Sequence, residues 1–432
     1  MAAWALVFCA SLSCAQVFVE SPRLLGKPID TIEITGNPVT RAEIILREMK
    51  THPGSKANVE RLELDLLRIR ALGLFSHVEF SLTEREGRSV LVISVNEEWY
   101  IFPLPYWDFK DNDPEKPIYG FRYRQNNFRG RNETLVVSLW SGADRGFLFS
   151  HNTPWMKGTP GLSRAVDFSQ HTTKSGRLAV KDLNLEERHS SAEVRVGKRW
   201  TIELFSEIGA RFRLVEAGNR LQLATGGQLD RILEAKATAY WDQRDLRIFP
   251  RRGFFIGGTF INGWILDGSD RYQRVILDLR GYLPLRKRIS GAARFTWQPG
   301  WGNVPPYDWI VVSDTSPLRS SNLSDEGTSY YGFSLETRVD LLPLRQFTWE
   351  KAPLLPQYFK NLEYGLSAEV FLDAGDAYLQ NAAPTWSSLL WGYGAGLLFQ
   401  LPYIDVFRLE LSLNPEYSLR EARLSGKVEI SF

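Results

Sequence analysis

The sequence predicts a mainly β protein, with one small N-terminal α+β domain followed by a transmembrane antiparallel β-barrel of about 16 strands. Three observations predict it. From Ile118 to Phe432, apolar and polar residues alternate in run after run, with no helix-period stretch of any length. Aromatics make up 13% of the 432 residues, with 14 Trp and 16 Tyr, a share suited to interfacial girdles. Mean hydropathy is −0.24, and no interior run reaches the roughly 20 apolar residues of a membrane helix. A barrel carries its hydrophobicity in alternation, so this polar balance agrees with one. The third observation is the closing strand: Leu424, Gly426, Val428, Ile430 and Phe432 fall on one face, and Arg423, Ser425, Lys427, Glu429 and Ser431 on the other.

In chain order, residues 1–15 come first. Met1 to Ala15 is apolar and ends in Ser13-Cys14-Ala15, small residues suited to signal-peptidase cleavage, so a signal peptide is expected. Both cysteines, Cys9 and Cys14, lie within it, and a cleaved chain holds no thiol for disulfides or metal ligation. The next unit spans residues 16–98. Ile29, Ile32 and Ile34 mark a short strand that stops at the turn Gly36-Asn37-Pro38. Thr40 with Glu43 fits a capping box for a first helix through Ile44, Ile45 and Met49. A second helix carries Leu62, Leu66, Leu67 and Ile69 and ends near Gly73. Two strands follow, one with Val78, Phe80 and Leu82, the other with Val90, Val92 and Val95.

This order, with "ITGN" and then "LGLFSHVEF", resembles a POTRA domain, and Gly36, Asn37, Gly73 and Phe75 carry the likeness. The resemblance implies a periplasmic module that handles unfolded clients. Its open sheet edge is suited to accepting an extended peptide as an added strand.

Residues 99–116 read as a solvated linker, because Pro103, Pro105 and Pro114 interrupt it and Asp108, Asp111, Asp113 and Glu115 crowd it. The barrel is expected over 117–432. Leu335, Thr337, Val339 and Leu341 oppose Ser334, Glu336, Arg338 and Asp340, and Leu409, Leu411 and Leu413 oppose Arg408, Glu410 and Ser412. "NNFRGRNETL" (126–135), "FSHNTPW" (149–155), "DQRDLRIFPRRGFF" (242–255) and "FLDAGDAY" (371–378) resemble hairpins and strands of the BamA/TamA family of outer-membrane assembly barrels. A terminal strand closing on Phe also resembles the last strand of bacterial outer-membrane barrels.

The resemblance implies a long extracellular loop folded into the lumen and held there by an arginine. The matching site is Leu318-Arg319-Ser320-Ser321, which keeps the arginine while two serines replace the family's glycine and aromatic. Glu336 and Asp373 are the acids that would receive Arg319. An alternative alignment at Tyr330-Tyr331-Gly332-Phe333 loses the arginine.

Little points to catalysis. The five histidines, His52, His77, His151, His171 and His189, form no i, i+4 pair, and no G-x-S-x-G elbow is present. A net charge of +2 excludes a basic nucleic-acid footprint. The resemblance implies a non-enzymatic protein of the bacterial outer membrane, without cofactor, whose N-terminal domain lies in the periplasm. It would insert or translocate unfolded outer-membrane or secreted proteins, in contact with outer-membrane lipid and accessory periplasmic proteins. A seam between a first strand carrying Ile118, Phe121 and Tyr123 and a last strand carrying Leu424, Gly426, Val428, Ile430 and Phe432 would take the client. A substrate-specific secretion pore, and a passive porin or structural surface protein, remain alternatives.

Overall fold

The computed structural model describes residues 15–109, 115–246, 249–268, 270–313, 318–319, 324–351, 358–380, 382, 388–402, 404–415 and 422–429. The expected signal peptide lies outside the described residues except for Ala15, which opens a strand. The N-terminal domain contains β1 (Ala15–Val19), β2 (Thr31–Thr35), α1 (Ala42–Leu46), α2 (Val59–Arg70), β3 (Phe75–Arg85) and β4 (Arg88–Glu97). Its sheet runs β1-β3-β4-β2. The β3–β4 hairpin is antiparallel, and β1 and β2 flank it in parallel.

The helices cover the sheet, and Leu62, Leu66 and Ile69 of α2 pack with Phe80, Leu82, Leu91 and Ile93. Each such side chain stabilises the domain by roughly 1.5–3 kcal/mol through burial. Leu67 is not part of this face and is 48% exposed, because one residue of helix turns the side chain about 100° away from Leu66. The first helix is shorter than the sequence predicts and does not use the Thr40 cap. Arg41 stands at its N-cap without a side-chain bond. Thr40 is instead drawn elsewhere: its N–H donates to Glu97 Oε1 at 2.5 Å and its hydroxyl accepts from Asn127 Nδ2 at 2.8 Å. Buried Asp65 of α2 holds the segment after α1, accepting from the N–H groups of Lys50 and Thr51, each at 2.9 Å.

The barrel strands are β5 (Ile101–Phe109), β6 (Pro117–Phe128), β7 (Glu133–Gly142), β8 (Arg145–Thr153), β9 (Leu162–Lys174), β10 (Glu186–Arg199), β11 (Leu204–Ala217) and β12 (Leu229–Asp242). They continue as β13 (Gly253–Ile265), β14 (Arg271–Arg286), β15 (Ile289–Gln298) and β16 (Gly300–Gly302). After an inner hairpin, β17 (Ile310–Ser313) and β18 (Ser324–Gly327), come β19 (Ser329–Phe347), β20 (Leu362–Tyr378), β21 (Leu390–Leu401), β22 (Ile404–Leu413) and β23 (Arg423–Glu429). Neighbours pair in antiparallel sequence order, with β5 and β23 as the first and last strands, and among the described residues no ladder joins these two.

Segments β15 and β16 are one strand. Both pair with β14 in a single unshifted register, Leu277 opposite Trp297 and Arg274 opposite Gly300, with only Pro299 between them. Counted this way the sheet has sixteen strands among the described residues, the number the sequence length suggests. The two faces differ sharply. Ile208 is 68% and Val370 58% exposed on the outside, while Glu410 and Glu234 are each 1% exposed on the inside. This is the division a lipid-facing barrel with a polar interior requires.

The expected linker 99–116 is corrected in part. Ile101–Phe109 is a barrel strand, paired with β6 residue by residue from Ile101–Gln125 to Phe109–Pro117. Its prolines read as a break because proline cannot donate to a ladder. A strand tolerates them where the missing N–H points away from the paired neighbour.

The domain sits on the barrel through the β6–β7 turn. Arg41 N–H donates to the Gly130 carbonyl at 3.0 Å. Gly130 has φ +68, and a Cβ there would come within 2.1 Å of the Val39 carbonyl oxygen. Arg199 of β10 reaches Glu48 at 2.8 Å, and Arg70 reaches Glu363 of β20 at 3.0 Å. The "NNFRG" motif is thus the joint between the two units.

Candidate functional site

The segment between β16 and β19 folds inward and meets side chains that line the lumen. Arg319, on this segment, is surrounded by acids. Its Nε and Nη2 donate to the two carboxylate oxygens of Asp373 at 2.8 Å each, and Nη1 donates to Glu336 at 2.8 Å. Glu410 lies 3.3 Å from Nη1, and the Ser334 hydroxyl accepts from Nη2 at 2.9 Å. The guanidinium also lies 4.0 Å from the centroid of the Phe371 ring. The structure therefore brings together Arg319, Glu336 and Asp373. A planar fork of donors suits this arrangement, because only arginine can chelate one carboxylate and reach a second. Ser320 and Ser321 lie outside the described residues.

Glu410 escaped the sequence reading, although its alternation with Leu409 and Leu411 already put it on the inner face. The cluster extends through Arg338 and Arg408, which pair with Glu336, and through Glu369, 3.1 Å from Arg408. Buried charges persist when each has partners of opposite sign, as these do.

The same segment carries a second anchor of reversed sign. Asp308 accepts from Arg213 Nη1 at 2.7 Å and Nη2 at 2.9 Å, and Arg213 also reaches Glu234 at 3.0 Å. Burial alone would raise the Asp308 carboxyl, but the Arg213 guanidinium more than reverses this and holds it below the usual carboxylate range. Tyr307 donates to Asp230 at 2.9 Å. Further along, Glu326 of β18 accepts from Arg177 at 2.9 Å and from the Leu178 N–H at 2.7 Å. The segment is latched at three charged points, Asp308, Arg319 and Glu326.

At the seam the structure corrects the sequence reading. Ile118, Phe121 and Tyr123 lie on β6, the second strand. They face Asp108, Pro105 and Pro103 of β5 on one side and Gly142, Leu139 and Val137 of β7 on the other. Pro103 and Pro105 break the sequence pattern of β5, so the apolar alternation becomes readable only from Ile118. Leu424, Gly426 and Val428 lie on β23, opposite Leu411, Leu409 and Phe407 of β22. Ile430 and Phe432 lie outside the described residues. The seam runs between β5 and β23.

Residues 127–417, well over half of the chain, match the Omp85 superfamily domain. The chain belongs to the Omp85 superfamily. Residues 28–98 match the surface antigen variable number repeat, the POTRA unit. Among solved structures, the Omp85 chain is similar to BamA from Haemophilus ducreyi lacking POTRA domains 1-3, at 14% identity and TM-score 0.55, covering 92% of this chain and 82% of that one. CdiB from Escherichia coli aligns at 13% identity and TM-score 0.59, with coverage of 93% and 76%. CdiB from Acinetobacter baumannii aligns at 13% and 0.51, with coverage of 94% and 70%. At this identity the likeness speaks for the fold. No curated protein sequence matches. The superfamily, with a BamA/TamA-type layout of POTRA and barrel, makes this an outer-membrane barrel for protein insertion or translocation, its POTRA domain periplasmic.

The POTRA residues of this Omp85 protein hold turns. Gly36 has φ +85, and a Cβ there would lie 1.9 Å from the Val95 carbonyl oxygen, so only glycine lets β2 pass β4 this closely. Asn37 Nδ2 donates to the Thr40 carbonyl at 2.8 Å. Gly73 has φ +64, and Phe75 is buried at the start of β3.

Proposed function

We propose that this Omp85 protein inserts unfolded barrel proteins into the outer membrane, and that the client strand is taken up at the β5–β23 seam after first contact with the POTRA sheet. The observation that carries the reading is the seam: the first and last barrel strands, β5 and β23, share no ladder among the described residues, while every other neighbouring pair does, and β5 carries two prolines. Every backbone hydrogen bond left open in the hydrocarbon costs several kcal/mol. A seam opens readily when an incoming strand replaces the bonds it loses, and the exchange is then nearly balanced. The work consists of exchanging hydrogen bonds and apolar contacts, with no covalent chemistry and no cofactor. The outer face, with its exposed leucines, valines and aromatics, meets lipid throughout.

The latched segment supports insertion over conduction. It crosses from Arg213 on β11 to Asp373 on β20, so an open pore would require its release. The test places residues 16–432 in liposomes and times the folding of a urea-denatured eight-stranded barrel. Folding faster than in empty liposomes, without steady ion conductance, is the expected result. Conductance without acceleration would overturn insertion in favour of a pore.

A further inference from the structure

We infer that the cell-surface end of β8–β14 binds a glycolipid of the outer leaflet by its phosphates, through arginines and a lysine on the outer wall of the barrel. This lipid site is independent of the insertion reading above.

The joint with the N-terminal domain fixes which strand ends face the cell surface. That domain meets the β6–β7 and β10–β11 turns, so the β7–β8, β9–β10, β11–β12 and β13–β14 connections lie at the opposite end. Side chains two apart on a strand share a face. Arg145 shares the face of Phe147 and Phe149 on β8, Lys174 that of Phe168 on β9, and Arg188 that of Val194 and Val196 on β10. Arg231 shares the face of Leu233 on β12, and Arg271 of β14 stands directly opposite Trp264 of β13. Each of these apolar residues is exposed, as a lipid-facing wall requires. The five cations therefore point outward, each within three residues of the cell-surface end of its strand.

These cations are held differently from the arginines inside. Arg213, Arg319 and Arg408 are nearly buried, and each is gripped by two or more acids. On the outer wall, Arg145, Arg188 and Arg231 are 57%, 50% and 55% exposed, with Glu186, Glu216 and Asp267 at 3.1, 3.7 and 3.5 Å. Lys174 donates to the Asn184 side chain at 2.9 Å. Exposed pairs of this kind contribute little, so a phosphate can take the guanidinium from its acid and accept two bonds from its fork.

The arginines recur on β8, β10, β12 and β14, every second strand, which spaces them roughly 10 Å apart around the wall. A headgroup with two phosphates meets two of them at once, while its acyl chains lie against Phe147, Phe168, Phe212 and Trp264. On the wall formed by β15–β21, the same end presents Trp297, Trp301, Tyr331, Tyr378 and Trp391, rings that settle at the interface without charge. The rim is thus cationic on one side and aromatic on the other.

The experiment reconstitutes residues 16–432 in phosphatidylcholine vesicles containing a minor share of lipid A. The barrel is extracted in mild detergent, and the lipid A kept per chain is measured by mass spectrometry. A cation beside an anionic headgroup contributes roughly fivefold, so two phosphates should favour lipid A by roughly tenfold or more over phosphatidylglycerol and over the same lipid without its phosphates. The triple variant Arg145→Gln, Arg188→Gln, Arg231→Gln should lower retention by about 100-fold, and lysine at the same three positions should restore most of it. The parent chain gives a test that needs no variant. Raising NaCl from about 0.1 M to about 1 M shortens the screening length from about 10 Å to about 3 Å and should release the lipid. Equal retention with and without the phosphates, retention by the glutamine variant equal to the parent's, or retention indifferent to salt would overturn the inference. Phosphatidylglycerol kept as well as lipid A would overturn the two-phosphate assignment.

Discussion

Arg319 is held by more groups than an arginine needs merely to remain charged. Asp373 chelates it, Glu336 and Glu410 flank it, and Phe371 supports its plane. Removing one partner from a buried ion pair costs about 3–5 kcal/mol, so Arg319→Ala should release the segment. Protease cutting within residues 303–328 should rise at least tenfold. Arg319→Lys should give a smaller but clear rise, because an ammonium cannot chelate Asp373 and reach Glu336 together. Asp308→Asn should loosen the other end, where Arg213 would then face Glu234 alone.

A third residue gives the latch a pH dependence. Asp325 of β18 is pushed up to about 6, by burial first and then by its hydrogen bond with Asp376. A free aspartate titrates near 3.9. The docked hairpin therefore binds its proton more tightly than the released one. Its stabilisation is full below about pH 4 and is lost as pH rises through about 6. Cutting of the segment should increase between pH 5 and 7, and Asp325→Asn should flatten the profile. Arg319, Glu336 and Asp373 were legible in the sequence through the resemblance at a worn four-residue motif, whereas Glu410 was not. Asp308 and Glu326 were not, because a loop has no periodicity to place a side chain and their partners lie on strands far away in sequence.

At the scale of elements, strands that alternate were legible and those that break the alternation were not. β19 and β22 lie where Leu335–Leu341 and Leu409–Leu413 place them. β5 was hidden by Pro103 and Pro105, residues that mark a linker when read locally and an edge when read with their ladder. The first helix was overdrawn for a related reason: the Thr40–Glu43 spacing suits a cap, yet Glu97 and Asn127 hold Thr40 from outside the helix. That competition identifies the β6–β7 turn as a joint. Gly130→Ala would drive a Cβ into the Val39 carbonyl, 2.1 Å away, and strain a positive φ as well. Spin labels at Glu60 and Glu203 should report a longer, broader distance in this variant, with barrel folding unchanged. An unchanged distance would remove the turn from that role.

For the whole molecule, the barrel, its sixteen strands and its periplasmic domain were visible in residue pattern and resemblance together. The packing of that domain onto the turns of β6–β7 and β10–β11, and the position of the seam, needed the three-dimensional ladder. The account makes the β5–β23 seam the working part and the latched lumen its support. Cysteines introduced in pairs along Ile101–Phe109 and Arg423–Glu429 identify a pair that forms a disulfide across the seam. The decisive measurement is the folding rate of a urea-denatured client barrel in liposomes with that pair oxidised and then reduced. The account predicts the empty-liposome rate when the seam is locked and full acceleration after reduction. Full acceleration with the seam locked would contradict it.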